Sequence, residues 1–330
     1  MLDLIRNTGS LIENATHITS SFDISNSNRK GKITRLLSKE ILNFSVCNFN
    51  IDYTKSKFIN VINGMGVTLG DSIIGIGALD CIKKINKNNN INLIRPETCH
   101  SYVDEIYKIA TTILDKVEYM PYEISRLAQY DINIDIGNQL FWSDFSELEM
   151  HDFFLRSLGI NHENIPEEWK QNHWLQTAIP KENRKSNGYV MFCPKASTNL
   201  RTIPDKYHFH IFNQLSKKFK LPIVGFSSVC HPNFTDVTNQ CNNTSEFIKM
   251  IANSSYVYTC DSSALHISAA YDIPTLCIFT SIRPELRSRY YKNCESIYIG
   301  DKLTDKLHET ECQSIINHVE EKFEAYYERF

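Results

Sequence analysis

The chain has 330 residues, 42% of them hydrophobic and 22% charged, with a formal net charge of -3. That length accommodates two domains with separate cores, and the composition is that of a globular protein rather than a disordered or fibrous one. The charge excludes a global electrostatic pull toward nucleic acid or an anionic membrane. No stretch reaches the length of a transmembrane helix, and the opening "MLDLIRNTGSLIEN" lacks the basic end and apolar core of a secretory signal. The expectation is a cytoplasmic protein without a stable membrane span. Ten cysteines are scattered without a CxxC pair; several sit inside strand-like runs as small buried hydrophobes, which suits a reducing compartment rather than a disulfide framework or zinc site.

Residues 1–57 are rich in Ser, Asn and Thr and carry one basic run, "NRKGKITR" (28–35). They read as an N-terminal extension of unassigned role, loosely packed around a solvated charge cluster, with an arm for an anionic acceptor as the sharper alternative. From residue 58 the character changes. "FINVING" is strand-like, "MGVTLGD" is punctuated by glycine, and "DSIIGIGALDCIKKIN" (71–86) places Ile73, Ile74, Ile76, Gly77, Leu79 and Ile82 on one buried helical stripe. "NKNNN" breaks that helix. "INLIRP" (91–96) predicts a strand and "SYVDEIYKIATTILD" (101–115) a helix. "KVEYM" (116–120) and "YDINIDI" (130–136) predict further strands. "ELEMHDFFLRSLGI" (147–160) predicts an amphipathic helix stopped at Gly159.

The polar, proline-interrupted stretch 161–188 reads as a connector, and a second alternating series follows. Strand "YVMFCP" (189–194), a loop, helix 206–219, strand "PIVGFS" (222–227) and helix "TSEFIKMIANS" (244–254) lead to a strand at 256–259. "CDSSALHISAAYDIP" (260–274) then carries a short apolar helix, "PTLCIF" (274–279) and "SIYIGD" (296–301) are strands, and a helix from about Thr310 closes the chain. Two βα series imply twin Rossmann-like domains, 58–180 and 181–330, although no sequence repeat relates the halves.

Three constellations fall where a strand gives way to a loop or helix. In "GMGVTLGDS" (64–72), Gly64, Gly66 and Gly70 form a G-x-G-x-x-x-G spacing that lets backbone approach a ligand, with Glu97 as the acid a nicotinamide dinucleotide would need. Asp71 would repel a pyrophosphate there; it serves as a helix N-cap, a positioned base, or both. In "PKASTNLRTIPDKYHF" (194–209), Lys195, Ser197, Thr198 and Arg201 offer two cations and two hydroxyls to a polyanion. In the third, Asp261, Ser262 and Ser263 open a helix whose positive end favours an anion, and His266 lies one turn on. "DINID" (131–135) reads as a strand end rather than a metal ligand pair, and no acidic metal-binding motif is present.

Four segments, "GMGVTLGDSIIGIGALDCIKK", "FCPKASTNLRTIPDKYHF", "VGFSS" and "SSYVYTCDSSALHISAAYDIPTLCIFTSIRPE", resemble glycosyltransferase family 9 in content and order, over residues 58–300. That family contains the ADP-heptose:lipopolysaccharide heptosyltransferases. The resemblance implies an α/β fold of the GT-B type, two Rossmann-like domains facing across a cleft, and a metal-independent inverting transfer with no cofactor besides the nucleotide-diphospho-sugar donor. It implies that Asp71 is the base and that Gly66 and Gly70 lie at the substrate. Lys195, Ser197, Thr198, Arg201, Gly225, Asp261, Ser262, Ser263 and His266 would hold the donor. It also implies a lipid-linked or surface glycan acceptor, with a protein or nucleic-acid acceptor as the alternative, and a bacterial enzyme in the cytoplasm or peripheral to the inner membrane. Ser263 and Thr280 stand where the family has glycines, Arg201 where it has lysine and Ile203 where it has an aromatic residue, which bears on heptose and adenine specificity. The rival readings are an NAD(P)-dependent oxidoreductase built on the glycine spacing, and a relative that binds donor without turnover.

Overall fold

Strands apolar at nearly every position, such as 59–62 and 190–193, must be buried on both faces, which a parallel sheet covered by crossover helices provides. A computed structural model describes residues 2–26, 31–182 and 188–328 and contains such a sheet twice. The chain divides into two units, Met1–Lys170 and Gln171–Phe330, at a point inside the polar stretch 161–188.

The first unit has strands β1 (Leu11–Glu13), β2 (His17–Thr19), β3 (Ile33–Arg35), β4 (Ile41–Leu42), β5 (Phe58–Ile62), β6 (Asn90–Arg95), β7 (Lys116–Tyr119), β8 (Tyr122–Glu123) and β9 (Ile132–Asp135). A five-stranded parallel sheet runs β4-β9-β5-β6-β7, and a small antiparallel sheet runs β3-β1-β2-β8. Helix Leu69–Ile85 crosses from β5 to β6. Its first three turns are buried almost all round, not along a single stripe, because helices Ser101–Ile109 and Met150–Ser157 pack on it as well as the sheet. The helix predicted at 101–115 ends at Ile109, and the residues after it turn back into β7.

Residues 1–57 are not the loosely packed extension that their composition suggests. Ile18 is fully buried against Ile62, Ile94, Met120 and Tyr122, so β2 covers the carboxyl ends of β5 and β6. The Asp23 carboxylate accepts hydrogen bonds from Thr98 N and Oγ1, both at 2.9 Å. The Asp135 carboxylate at the end of β9 accepts from Ser10 N (2.6 Å), Ser10 Oγ (2.8 Å) and Gly137 N (2.9 Å), and its burial pushes its pKa up. A few isolated apolar residues make these contacts, so no periodic pattern betrays them. Of the basic run 28–35, residues 31–35 lead into and form β3, whereas Asn28, Arg29 and Lys30 lie outside the described residues.

The second unit has β10 (Val190–Cys193), β11 (Ile223–Gly225), β12 (Phe234–Asp236), β13 (Tyr256–Cys260), β14 (Thr275–Phe279) and β15 (Cys294–Tyr298), all parallel, in the order β12-β11-β10-β13-β14-β15. Numbered within the unit this is 3-2-1-4-5-6, the Rossmann order, whose direction reverses between β10 and β13. Helices His208–Phe219, Thr244–Ala252 and Ser263–Ala270 are the crossovers, and Gln313–Tyr327 closes the unit. The stretch read as a connector holds helix Trp174–Ala178, whose Trp174 and Leu175 are buried, and Tyr271 Oη donates to Leu175 O and Ile179 O at 3.1 and 2.6 Å.

Gly159 ends helix Met150–Ser157 as expected, with φ +72° and its amide bonded to Arg156 O. A Cβ there would come within 2.7 Å of the Phe49 ring. Substitution Gly159→Ala should therefore lower stability by at least about 1–2 kcal/mol, the cost of a left-handed side-chain-bearing residue, read as a reduced midpoint in urea denaturation.

Candidate functional site

In the first unit the loop between β5 and its helix bears Asp71. Thr68, not Asp71, is the N-cap: its side chain accepts from Asp71 N at 3.4 Å, and Asp71 occupies the third helical position, half-buried. Thr68-x-x-Asp71 is the spacing of a capping box. Gly66 adopts φ +96°, and a Cβ on it would meet Asp71 Cβ at 2.6 Å and Gln139 Nε2 at 3.0 Å. The missing side chain of Gly66 thus makes room for the chain's own carboxylate. Gly70 is the second residue of the helix.

Beneath this loop lies Arg95, fully buried at the end of β6. Its Nε donates to Asp104 Oδ1 at 3.0 Å, and Nη1 donates to Gly64 O and Gly66 O at 3.1 and 3.2 Å. Its guanidinium sits 3.7 Å from the centre of the Tyr107 ring. Burial works against the charge, but Tyr107, Cys99 and Asp104 together hold the pKa above the ordinary arginine value. Glu97, the acid of the dinucleotide pattern, is exposed beyond the end of β6.

In the second unit the loops after β10 and β13 meet where the strand order reverses. Arg201 Nη1 donates to Asp261 Oδ2 at 3.1 Å and to Asp261 O at 3.2 Å. Its Nη2 donates to Ser197 Oγ at 2.7 Å and its Nε to Thr198 Oγ1 at 3.3 Å. The sequence-predicted residues Ser197, Thr198, Arg201 and Asp261 therefore form one hydrogen-bonded group. Burial alone would raise the pKa of Asp261, but Arg201, then Arg287 and His266, outweigh it and hold the carboxyl below the usual range. Ser262 caps helix Ser263–Ala270, and both serines are partly exposed at its amino end. Lys195 is exposed and forms no ion pair among the described residues.

Two predicted residues owe their positions to packing. His266 is buried, with its Nδ1 2.8 Å from Tyr291 Oη, a partner outside the hydrogen-bonded group of Arg201 and Asp261. Gly225 lies inside β11, where a Cβ would strike Phe192 O at 2.1 Å. Sequence reasoning missed Arg287 and His308, whose charges couple to those of Arg201 and Asp261 although they follow later strands. Neither sits in a motif that could have signalled it. The missing N-cap was legible, as the Thr68-x-x-Asp71 spacing. Thr280 has a definite role: its Oγ1 donates to Leu200 O at 2.8 Å, tying the end of β14 to the loop that carries Arg201. Among the described residues no helix is long and apolar enough to cross a membrane, and no group of three His, Cys, Asp or Glu could hold a metal.

No protein-family model and no curated protein matches the chain. Solved structures share its fold. Escherichia coli ADP-heptose lps heptosyltransferase II superposes with a TM-score of 0.52 at 12% identity, over 82% of this chain and 99% of that one. A glycosyl transferase family 9 protein from Veillonella parvula gives 0.51 at 12% identity, over 86% and 99%. The dodecameric iron-containing heptosyltransferase TibC, from enterotoxigenic E. coli and in complex with ADP-D-beta-D-heptose, gives 0.54 at 12% identity, over 91% and 81%. At these identities the likeness is one of fold: the chain has the heptosyltransferase-like α/β fold that its sequence resemblance implied.

Burial, then the charges of Arg287 and Arg201, push His308 down to about 4, with Asp261 opposing. Unfolded, the ring would titrate near 6.5 and bind a proton that the folded site refuses. Stability should therefore be undiminished above about pH 6.5, fall as the pH drops toward 4, and level off below. His308→Gln should flatten that fall, seen by comparing urea denaturation at neutral and mildly acidic pH; an unchanged slope would place the acid sensitivity elsewhere.

Proposed function

We propose that the chain is an inverting glycosyltransferase of the GT-B type, moving a sugar from a nucleotide-diphospho-sugar to a hydroxyl acceptor. In this reading Gln171–Phe330 binds the donor, Met1–Lys170 binds the acceptor, and the two face each other across a cleft. The observation that carries it is the switch point between β10 and β13, where Arg201, Asp261 and the start of helix Ser263–Ala270 come together. Ligands of open α/β sheets bind at such points, and the fold is shared with solved heptosyltransferases.

An acceptor hydroxyl is a weak nucleophile, and Asp71 would take its proton as the oxygen attacks the anomeric carbon from the face opposite the leaving group. The departing nucleoside diphosphate gains negative charge. Arg201 is already engaged with Asp261, so the exposed Lys195 is the better placed phosphate contact, with the amides at Ser262 and Ser263 beside it. Arg201 then holds the loop and the carboxylate in place, and Asp261 accepts hydrogen bonds from the donor's hydroxyls or amides. These cations and amides support a metal-independent step that needs no cofactor besides the donor. An ADP-heptose donor and a lipid-linked or surface glycan acceptor follow from the family resemblance, with a protein or nucleic-acid acceptor as the alternative. A nicotinamide cofactor has less support, because Gly66 is filled by Asp71 and Arg95 is turned inward beneath the loop.

A panel of nucleotide-sugars screened by thermal shift should single out one diphospho-sugar, with no response to its free sugar. Lys195→Ala should weaken nucleoside-diphosphate binding about tenfold, as loss of one charge-assisted contact does. Asp71→Asn should keep donor binding and lower transfer by roughly 100- to 10,000-fold. Full transfer by Asp71→Asn would refute its role as base, and donor binding without turnover by the unaltered protein would mark a binding-only relative.

A further inference from the structure

Arg95 is a fully desolvated cation at the end of β6, in a unit whose proposed base stands on the neighbouring loop. Removing a guanidinium from water is costly, and it persists only where geometry uses its donors. Here Nε goes to Asp104, while Nη1 is shared between the carbonyls of Gly64 and Gly66, both in the loop that leads to Asp71. Nη2 is buried and has no hydrogen-bond partner among the described residues. The charge is therefore kept at some expense to stability.

Both neighbours of Asp71 are held from this one point. Across the loop, the position where Gly66 would carry a Cβ lies 2.6 Å from Asp71 Cβ, so the backbone that Arg95 grips at Gly66 O abuts the Asp71 side chain. Next in the chain, Ser72 Oγ accepts from Tyr107 Oη at 2.7 Å, and Tyr107 Oη also lies 3.4 Å from Met65 N as its acceptor. The Tyr107 ring stacks on the Arg95 guanidinium. A single stacked pair thus fixes residues 64–66 on one side of Asp71 and residue 72 on the other.

We infer that Arg95, backed by Tyr107, is the positioning residue for Asp71: it sets the carboxylate against the acceptor hydroxyl without touching substrate. The inference rests on Asp71 being the base. A displacement of about 1 Å at a reacting group can cost on the order of 100-fold in rate, whereas donor binding belongs to the other unit. Lysine keeps the charge of Arg95 but lacks the fork that spans two carbonyls.

The test compares the full-length protein with Arg95→Lys, Arg95→Met, Tyr107→Phe and Asp71→Asn, using the donor that the thermal-shift panel selects. Circular dichroism establishes that each is folded, and Tyr107→Phe keeps the ring should the arginine variants fail to fold. Amide hydrogen exchange over residues 63–72 is followed in each. The expected result is a fall in kcat of about tenfold for Arg95→Lys and Tyr107→Phe, and of about 100-fold for Arg95→Met. The KM for donor should stay within about threefold, and exchange in the loop should accelerate. Folded variants with a kcat within about threefold of the unaltered protein, or with unchanged loop exchange, would overturn the inference. If the unaltered protein and Asp71→Asn are equally active, or equally inert, the proposed reaction falls and this inference with it, whereas an inactive Asp71→Asn beside unaffected Arg95 and Tyr107 variants removes the positioning role alone.

Discussion

A guanidinium cannot shed its charge, and its planar fork holds two acceptors at a fixed separation. Each unit sets one arginine at the carboxyl end of its parallel sheet. Arg95 spans Gly64 O, Gly66 O and Asp104, and Arg201 spans Asp261 O, Asp261 Oδ2 and Ser197. In both cases the loop between strand and helix is tied to a neighbouring strand through hydrogen bonds from a permanently charged fork. The difference lies in exposure. Arg95 is sealed from solvent, whereas the Arg201 side chain retains 19% of its surface and borders the exposed Lys195 and Ser197.

The sheets explain why the arginines stand there. A parallel strand order that reverses leaves the loops of two adjacent strands diverging, and polar groups collect in the gap. In the second unit the reversal is between β10 and β13; in the first, β5 lies between β9 and β6, and Asn63 and Gly137 meet where β5 and β9 end. There the amino-terminal residues add a third element: Asn138 Nδ2 donates to Ile5 O and Asn7 O at 2.7 and 2.6 Å, beside the Ser10–Asp135 contact. The segment that looked like an appendage packs over the carboxyl ends of β5, β6 and β9.

Departures from the family pattern take on meaning in this setting. Thr280, in place of a glycine, spends its hydroxyl on Leu200 O and accepts Thr304 Oγ1 at 2.8 Å on its own carbonyl, so the loop of Arg201 is braced from β14. Arg201, in place of a lysine, uses a fork that a lysine does not have. The two residues lie next to each other, since Thr280 bonds the carbonyl of Leu200 beside Arg201.

What the sequence by itself determined is the two βα series from residue 58 onward and the loops and helix starts, after a strand, that carry Asp71, Arg201 and Asp261. Runs such as "FINVI" and "YVYTC", apolar at all but one position, read as buried strands, while Asp-Ser-Ser before "ALHISAA" reads as the opening of a helix. Only the tertiary structure decided which polar residues meet. Arg95 reads as the polar end of a strand and Tyr107 as one position of a helix, and their stacking needs β6 and helix Ser101–Ile109 to be packed together. Arg287 and His308, beyond β14 and β15, couple electrostatically to the Asp261 group, and Ile18 and Asp23 pack on the first sheet and on the loop after β6 from a segment of unremarkable composition. Periodicity reports the local partition between water and core; it carries no record of contacts between residues far apart in the chain, which folding brings together.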